Sequence, residues 1–203
     1  MEKCLLVVFI FFFTKSGAQL VIEPPPSKPF TEQQMAVEEK NQHCLHRNKY
    51  NAAERLRFYP FGRARFIKIV SFPASAYGAP KRRHFAIGLP LKKRKIDSTY
   101  IKEAITLTSA QTDSLTEIFY NTGYSGPVHS TSESQCFMPR NAVAFFDKKG
   151  KLLAYINISF ACQMYTASSK RINIGELCTQ KYELIKKFFI SAGIWYGTII
   201  VPD

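Results

Sequence analysis

The chain has 203 residues, of which 28 are lysine or arginine and 15 aspartate or glutamate, so it carries a formal charge of +13, and 46% of it is hydrophobic. That length supports one domain with a real hydrophobic core and is too short to favour two. The charge favours contact with anionic surfaces, and removing residues 1–18, with Glu2, Lys3 and Lys15, would leave +12.

Lys3 precedes an apolar run over residues 5–13, followed by Thr14, Lys15 and the small residues Ser16, Gly17 and Ala18. A charged start, a short apolar core and small residues before the cut predict a signal peptide over 1–18, cleaved between Ala18 and Gln19. The run is about half the roughly 20 residues a bilayer-spanning helix needs, so no transmembrane segment is expected after cleavage. Cys4 lies before the apolar core, which argues against a lipidated cysteine. Residues 19–50 read as an N-terminal segment in which Pro24, Pro25 and Pro26 form a semi-rigid spacer and 30–51 a helix with frayed ends, capped by Thr31. The α+β domain is expected over 51–203.

Within it, Phe66, Ile67, Ile69 and Val70 predict a strand over 65–72, stopped by Pro73. Residues 77–80 read as a turn, 85–89 as a weaker strand and 100–107 as a better one by partial alternation. Thr108 and Gln111 have capping-box spacing, which starts a helix with Leu115, Ile118 and Phe119 as its buried stripe. Gly123 is expected to end that helix in the left-handed conformation. Residues 126–135 read as a polar loop.

Residues 142–146, Asp147-Lys148-Lys149-Gly150 and 151–160 predict a β-hairpin. If Asp147 opposes Lys151, cross-strand partners sum to 298. A second helix is expected over 175–192, with Leu177, Cys178, Tyr182, Leu184, Ile185, Phe188 and Phe189 on its apolar face and Gly193 as its cap. The β-branched tail 194–201 reads as a last strand. Without strict βαβ alternation, the fold class is α+β, a single domain with an antiparallel or mixed sheet and helices packed on one face.

Past residue 18 the cysteines are Cys44, Cys136, Cys162 and Cys178, an even number in an exported chain, so disulfides are expected. Cys136 and Cys162 also sum to 298 and would face each other at the open end of the hairpin. Cys178 is the alternative partner for Cys162, or a small apolar side chain in the first turn of the last helix. His43, Cys44 and His46 form a weak metal-ligand cluster without the usual zinc spacing. Cys136-Phe137-Met138-Pro139 lacks the second cysteine of a redox pair. Catalytic motifs such as H-E-x-x-H, G-x-S-x-G and a phosphate-binding glycine loop are missing, so no catalytic residue and no cofactor are assigned.

The charge concentrates between Arg47 and Lys95, most densely in Lys81, Arg82, Arg83 and in Lys92, Lys93, Arg94, Lys95, which bracket the apolar stretch 85–91. These read either as a patch for an anionic partner or as solvated loops and a protected strand edge.

Leu107-Thr108 leading into Leu115 and Tyr120-Asn121, the run from Cys136-Phe137-Met138-Pro139-Arg140-Asn141 to Ala142, and Phe146-Asp147-Lys148-Lys149-Gly150 form one set of motifs. With Cys162, Cys178-x-x-x-Tyr182, Phe188-Phe189 and Gly193-Ile194-x-Tyr196-Gly197, they resemble a group of uncharacterised exported proteins of Gram-negative bacteria. The likeness covers residues 107–198, nearly half the chain. This sequence departs from it near Ser159, where the relatives often carry a further cysteine. The resemblance implies export and a single domain and brings no activity with it.

The leading expectation is therefore a secreted or periplasmic binding domain whose basic surface, with Arg140 beside the hairpin, meets an anionic envelope polymer or an acidic protein. Export disfavours nucleic acid as the partner. The alternatives are a thiol-dependent or hydrolytic envelope enzyme using Cys136 or Cys162 with Arg140 in a pocket beside the hairpin, and a periplasmic metal carrier using His43, Cys44 and His46.

Overall fold

The computed structural model describes residues 30–74, 88–129 and 136–198. The leader 1–18, the three prolines, the turn at 77–80 and Lys81, Arg82 and Arg83 lie outside the described residues. So do 85–87 of the weak strand, 130–135 of the polar loop and 199–201 of the tail.

Thr31 caps α1 (Glu32–Gln42): its hydroxyl accepts from the Gln34 amide at 3.3 Å, and the Gln34 side chain accepts from the Thr31 amide at 2.9 Å. The helix stops at Gln42, well short of residue 51. His43 turns to extended backbone, and β1 (Cys44–His46) pairs antiparallel with β6 (Thr122–Tyr124), which holds this stretch straight. The short α2 (Ala52–Arg55) has its own capping box, Asn51 with Glu54.

The main sheet has the order β5-β2-β7-β8-β9, with β2 at Phe66–Ser71, β5 at Glu103–Thr106, β7 at Asn141–Phe146, β8 at Leu152–Ser159 and β9 at Met164–Ala167. Every neighbouring pair is antiparallel. The central strand β7 is buried along its whole length, because both faces of the sheet are covered. On one face Ile67, Ile69, Val143, Phe145, Ile156 and Ile158 pack beneath α3 (Ser109–Asn121) and α4 (Lys181–Ser191), which contribute Leu115, Phe119, Tyr182, Ile185, Phe188 and Phe189. On the other, Val70, Phe72, Ala142, Ala144 and Phe146 meet Leu89, Ile96 and Ile101. These three lie on a segment that includes the small hairpin of β3 (Leu91–Lys92) and β4 (Lys95–Ile96). The fold is α+β with its helices on one sheet face.

The hairpin turn forms as its residues dictate: Asp147 accepts from the Lys149 and Lys151 amides at 2.8 and 2.9 Å, and Gly150 has φ +75°. The register departs from the constant 298. Phe146 faces Leu152, but Phe145 faces Ala154, so Leu153 is an extra residue in a β-bulge and pairs from Asn141 to Phe145 sum to 299.

Three boundaries also differ. α3 runs directly into β6, so Gly123 is an extended strand residue opposite Leu45 and not a left-handed cap. α4 begins at Lys181 and not at 175, because the preceding segment buries Ile172 and Ile174 in the core without helical structure and Cys178 is tied to Cys44. Its C-terminus follows expectation: Gly193, at φ +98°, donates to the Ile190 carbonyl and Ile194 to that of Phe189, the two bonds of a glycine-terminated helix. Residues 194–198 then form no strand. Asn141 Nδ2 donates to the Tyr196 carbonyl, and Glu103 accepts from the amides of Trp195 and Tyr196, which bends this stretch into a turn across the sheet edge.

Candidate functional site

The described cysteines form two disulfides. Cys136–Cys162 closes the open end of the hairpin with α-carbons 5.6 Å apart. The ladder has ended by then, and the slack of residues 136–140 absorbs the one-residue offset left by the bulge. Ser159 is fully buried, and its hydroxyl donates to the Met138 carbonyl and accepts from the Met138 amide. Cys44–Cys178, with α-carbons 5.0 Å apart, joins β1 to the segment before α4. Cys178 therefore pairs neither with Cys162 nor with nothing.

This pairing separates the metal-ligand candidates. Cys44 has no thiol to offer, His43 Nδ1 lies 2.9 Å from the side-chain nitrogen of Gln180, and His46 Nε2 lies 2.6 Å from Glu117. No group of three or more histidine, cysteine or acidic side chains among the described residues is placed to hold a metal ion.

Lys92, Lys93, Arg94 and Lys95 occupy the β3–β4 hairpin, all exposed, with Lys93 and Arg94 at positive φ as a two-residue turn requires. Arg140 is elsewhere, half-buried beside the tail, with its carbonyl accepting from Phe72. The structure does not gather these five residues into one concave site.

The concave basic site is built from arginines that are isolated in the sequence. Arg55 turns inward, where its guanidinium reaches Thr116, the Tyr50 carbonyl, Asp113 at 2.5 Å and Glu117 at 2.6 Å. Burial alone would raise the Glu117 pKa, but hydrogen bonds from Asn121 and His46 and the Arg55 charge hold it below the usual range. This anchor fixes α2 against α3 and leaves the next turn of chain facing outward. There Arg57, Arg63 and Arg171, with Leu56 and Tyr59, line a cleft of about 530 Å³. Arg171 stacks over the Tyr59 ring, its guanidinium carbon 4.6 Å from the centroid. The nearby carboxylates are engaged elsewhere: Glu54 in its capping box, Asp113 and Glu117 on Arg55. Among the described residues no carboxylate forms an ion pair with Arg57, Arg63 or Arg171.

A second cleft, of about 340 Å³, is lined in part by Phe58, the residue between Arg57 and Tyr59 of the first. Its aromatic residues are Tyr50, edge-on to Phe58 at 5.0 Å, and Tyr120, tilted against Phe58 at 4.6 Å. Arg47 and Glu176, an ion pair at 3.3 Å, line it together with Lys49 and Asn173. Behind it lies Lys181, fully buried, whose ammonium donates to the carbonyls of Ile118, Phe119 and Thr122 at 2.6, 2.9 and 2.6 Å. It thus satisfies the last turn of α3. Burial lowers its pKa to about 7, against an opposing pull from Glu176.

No family model, curated protein or solved structure matches the chain. The reading of function therefore rests on the chemistry of the two clefts.

Sequence reasoning passed over Arg57, Arg63 and Arg171 because it sought runs of charge, and the third lies more than a hundred residues from the first. The one usable signal was the density of arginine without acidic neighbours around residue 60.

Proposed function

We propose that this chain is an exported binding domain that captures an anionic envelope polymer in the cleft formed by Arg57, Arg63 and Arg171. The observation that carries the reading is that three arginines line one concavity and none of them forms an ion pair with a described carboxylate. Arginine presents a planar fork of donors that matches carboxylate, sulfate or phosphate oxygens in pairs, which makes it the suited residue for such a site. The Lys92–Lys95 hairpin contributes long-range attraction, since exposed lysines on a turn raise the local concentration of a polyanion without fixing its pose. Export is supported by the short apolar leader, by two disulfides of the kind that persist in oxidising compartments, and by the lack of any described helix long and apolar enough to cross a membrane. The resemblance to exported Gram-negative proteins agrees with it. The thiol-enzyme alternative needs a thiolate at Cys136 or Cys162, and these two are bonded to each other.

The test compares retention on immobilised polygalacturonate across a salt series for the parent, for Arg57→Ala/Arg63→Ala/Arg171→Ala, and for Lys92→Ala/Lys93→Ala/Lys95→Ala. The arginine variant should lose about tenfold or more in affinity, in line with charge-assisted hydrogen bonds of about 1.5–3 kcal/mol each. The lysine variant should bind more slowly with a smaller loss. Equal losses in both would show that only net charge matters and would remove the cleft from the account.

A further inference from the structure

Resting on the anion-binding reading, we infer that the arginine cleft and the aromatic cleft are adjoining subsites of one extended site and that its occupant is an acidic polysaccharide. Both clefts draw on two stretches of chain, 47–63 and 171–176, and the aromatic cleft also on 120–123. Arg57 and Tyr59 face one and Phe58 the other; Arg171 faces the first and Asn173 the second. Along the first stretch neighbouring side chains serve different clefts, and along the second the core residue Ile172 separates Arg171 from Asn173, so the two clefts lie within the reach of a ligand of several units.

The chemistry of the two sides differs, and that difference selects the polymer. The arginine side offers donors and positive charge, which any acid group satisfies. The aromatic side is lined by the rings of Tyr50, with the Lys49 ammonium 5.3 Å from its centroid, and of Phe58, together with a carboxylate, Glu176, and an amide, Asn173. Glu176 is about 40% exposed and accepts only from Arg47 and the Tyr124 amide among the described residues. A polyphosphate has neither an apolar face for the rings nor a donor for Glu176. A sugar ring has both: its C–H face lies against aromatic side chains, and its hydroxyls donate as well as accept. Acid groups on one unit and hydroxyl-bearing rings on the next match the two clefts in turn.

The aromatic subsite is also held in shape before any ligand arrives. Cys44 lies three residues before Arg47 and Cys178 two after Glu176, so their disulfide staples the two sides together. Within it, the Arg47 amide donates to the Asn121 carbonyl at 2.6 Å and the Tyr124 amide to Glu176 at 2.7 Å. A site ordered in advance does not lose affinity to its own ordering.

The experiment is calorimetric titration of the exported, oxidised chain with galacturonic acid, its trimer and hexamer, and with polyphosphate of matching charge, for the parent and for Tyr50→Ala and Arg57→Ala. Circular dichroism and melting temperature establish that each variant is folded. The trimer should bind at least about tenfold more tightly than the monomer, each substitution should weaken the hexamer about tenfold, and Tyr50→Ala should leave polyphosphate unchanged. If the hexamer binds no better than the monomer, or polyphosphate matches it and Tyr50→Ala has no effect, the polysaccharide inference is overturned while the arginine cleft stands. If neither polyanion binds, both fall.

Discussion

Lys181, behind the aromatic cleft, and Tyr120, on its wall, are satisfied very differently. Lys181 closes three carbonyls at the end of α3, and replacing it with methionine leaves them buried without donors. Lys181→Met should therefore cost about 2 kcal/mol or more in denaturant unfolding, and a neutral result would show that water takes over the caps. The Tyr120 hydroxyl is buried with no hydrogen-bond partner among the described residues. Tyr120→Phe should be neutral or stabilise by up to about 1 kcal/mol, and a loss of more than that would reveal an acceptor for the phenol. The same residues set the pH dependence. Burial depresses Lys181 to about 7, so the unfolded chain binds more protons above that pH, and the contribution of this group to stability grows from about pH 7 towards pH 10. Burial raises Tyr120 and Tyr182, so above pH 10 the folded chain holds protons that the unfolded chain releases, and their contribution falls. Melting temperature against pH should rise from neutrality and turn over near pH 10. A flat profile from 7 to 10 would mean that the three carbonyls offset the burial of the ammonium.

At the scale of elements, the two disulfides do different work. Cys44–Cys178 spans 134 residues of sequence and Cys136–Cys162 spans 26, so loop-closure entropy alone makes loss of the first costlier by about 1.5 kcal/mol. Cys44→Ser/Cys178→Ser should unfold at lower denaturant than Cys136→Ser/Cys162→Ser and should also weaken ligand binding; the reverse order would place the tighter constraint at the hairpin. What the sequence made legible here follows the range of the interactions. Thr108 with Gln111, Thr31, the Asp147–Gly150 turn and Gly193 act on neighbours a few residues away, and each was readable. The Cys136–Cys162 bridge was also readable, because a hairpin converts spacing into contact, though the bulge at Leu153 was not. By contrast, β1–β6 pairing and the Cys44–Cys178 bridge join distant segments, and they overrode the helical pattern at both 43–51 and 175–180. The candidate site was illegible for the same reason: Arg57 and Arg171 meet only in three dimensions.

For the whole molecule, the charge of +13 and the placement of its arginines have separate consequences. Net charge sets how quickly the chain meets a polyanion and how steeply that falls with salt. Under the proposed function, the arginine cleft sets where a polyanion stops. The proposed export predicts that protein recovered from the cell envelope has an intact mass beginning at Gln19 and no alkylatable thiol, and retention of Met1 would overturn it. The most direct test of the central claim is nuclear magnetic resonance of nitrogen-labelled protein titrated with polygalacturonate, following the Nε–Hε signals of the arginines. The signals of Arg57, Arg63 and Arg171 are expected to move together and saturate while those of Arg94 move little; movement confined to Arg94 and the amides of Lys92, Lys93 and Lys95 would contradict the account.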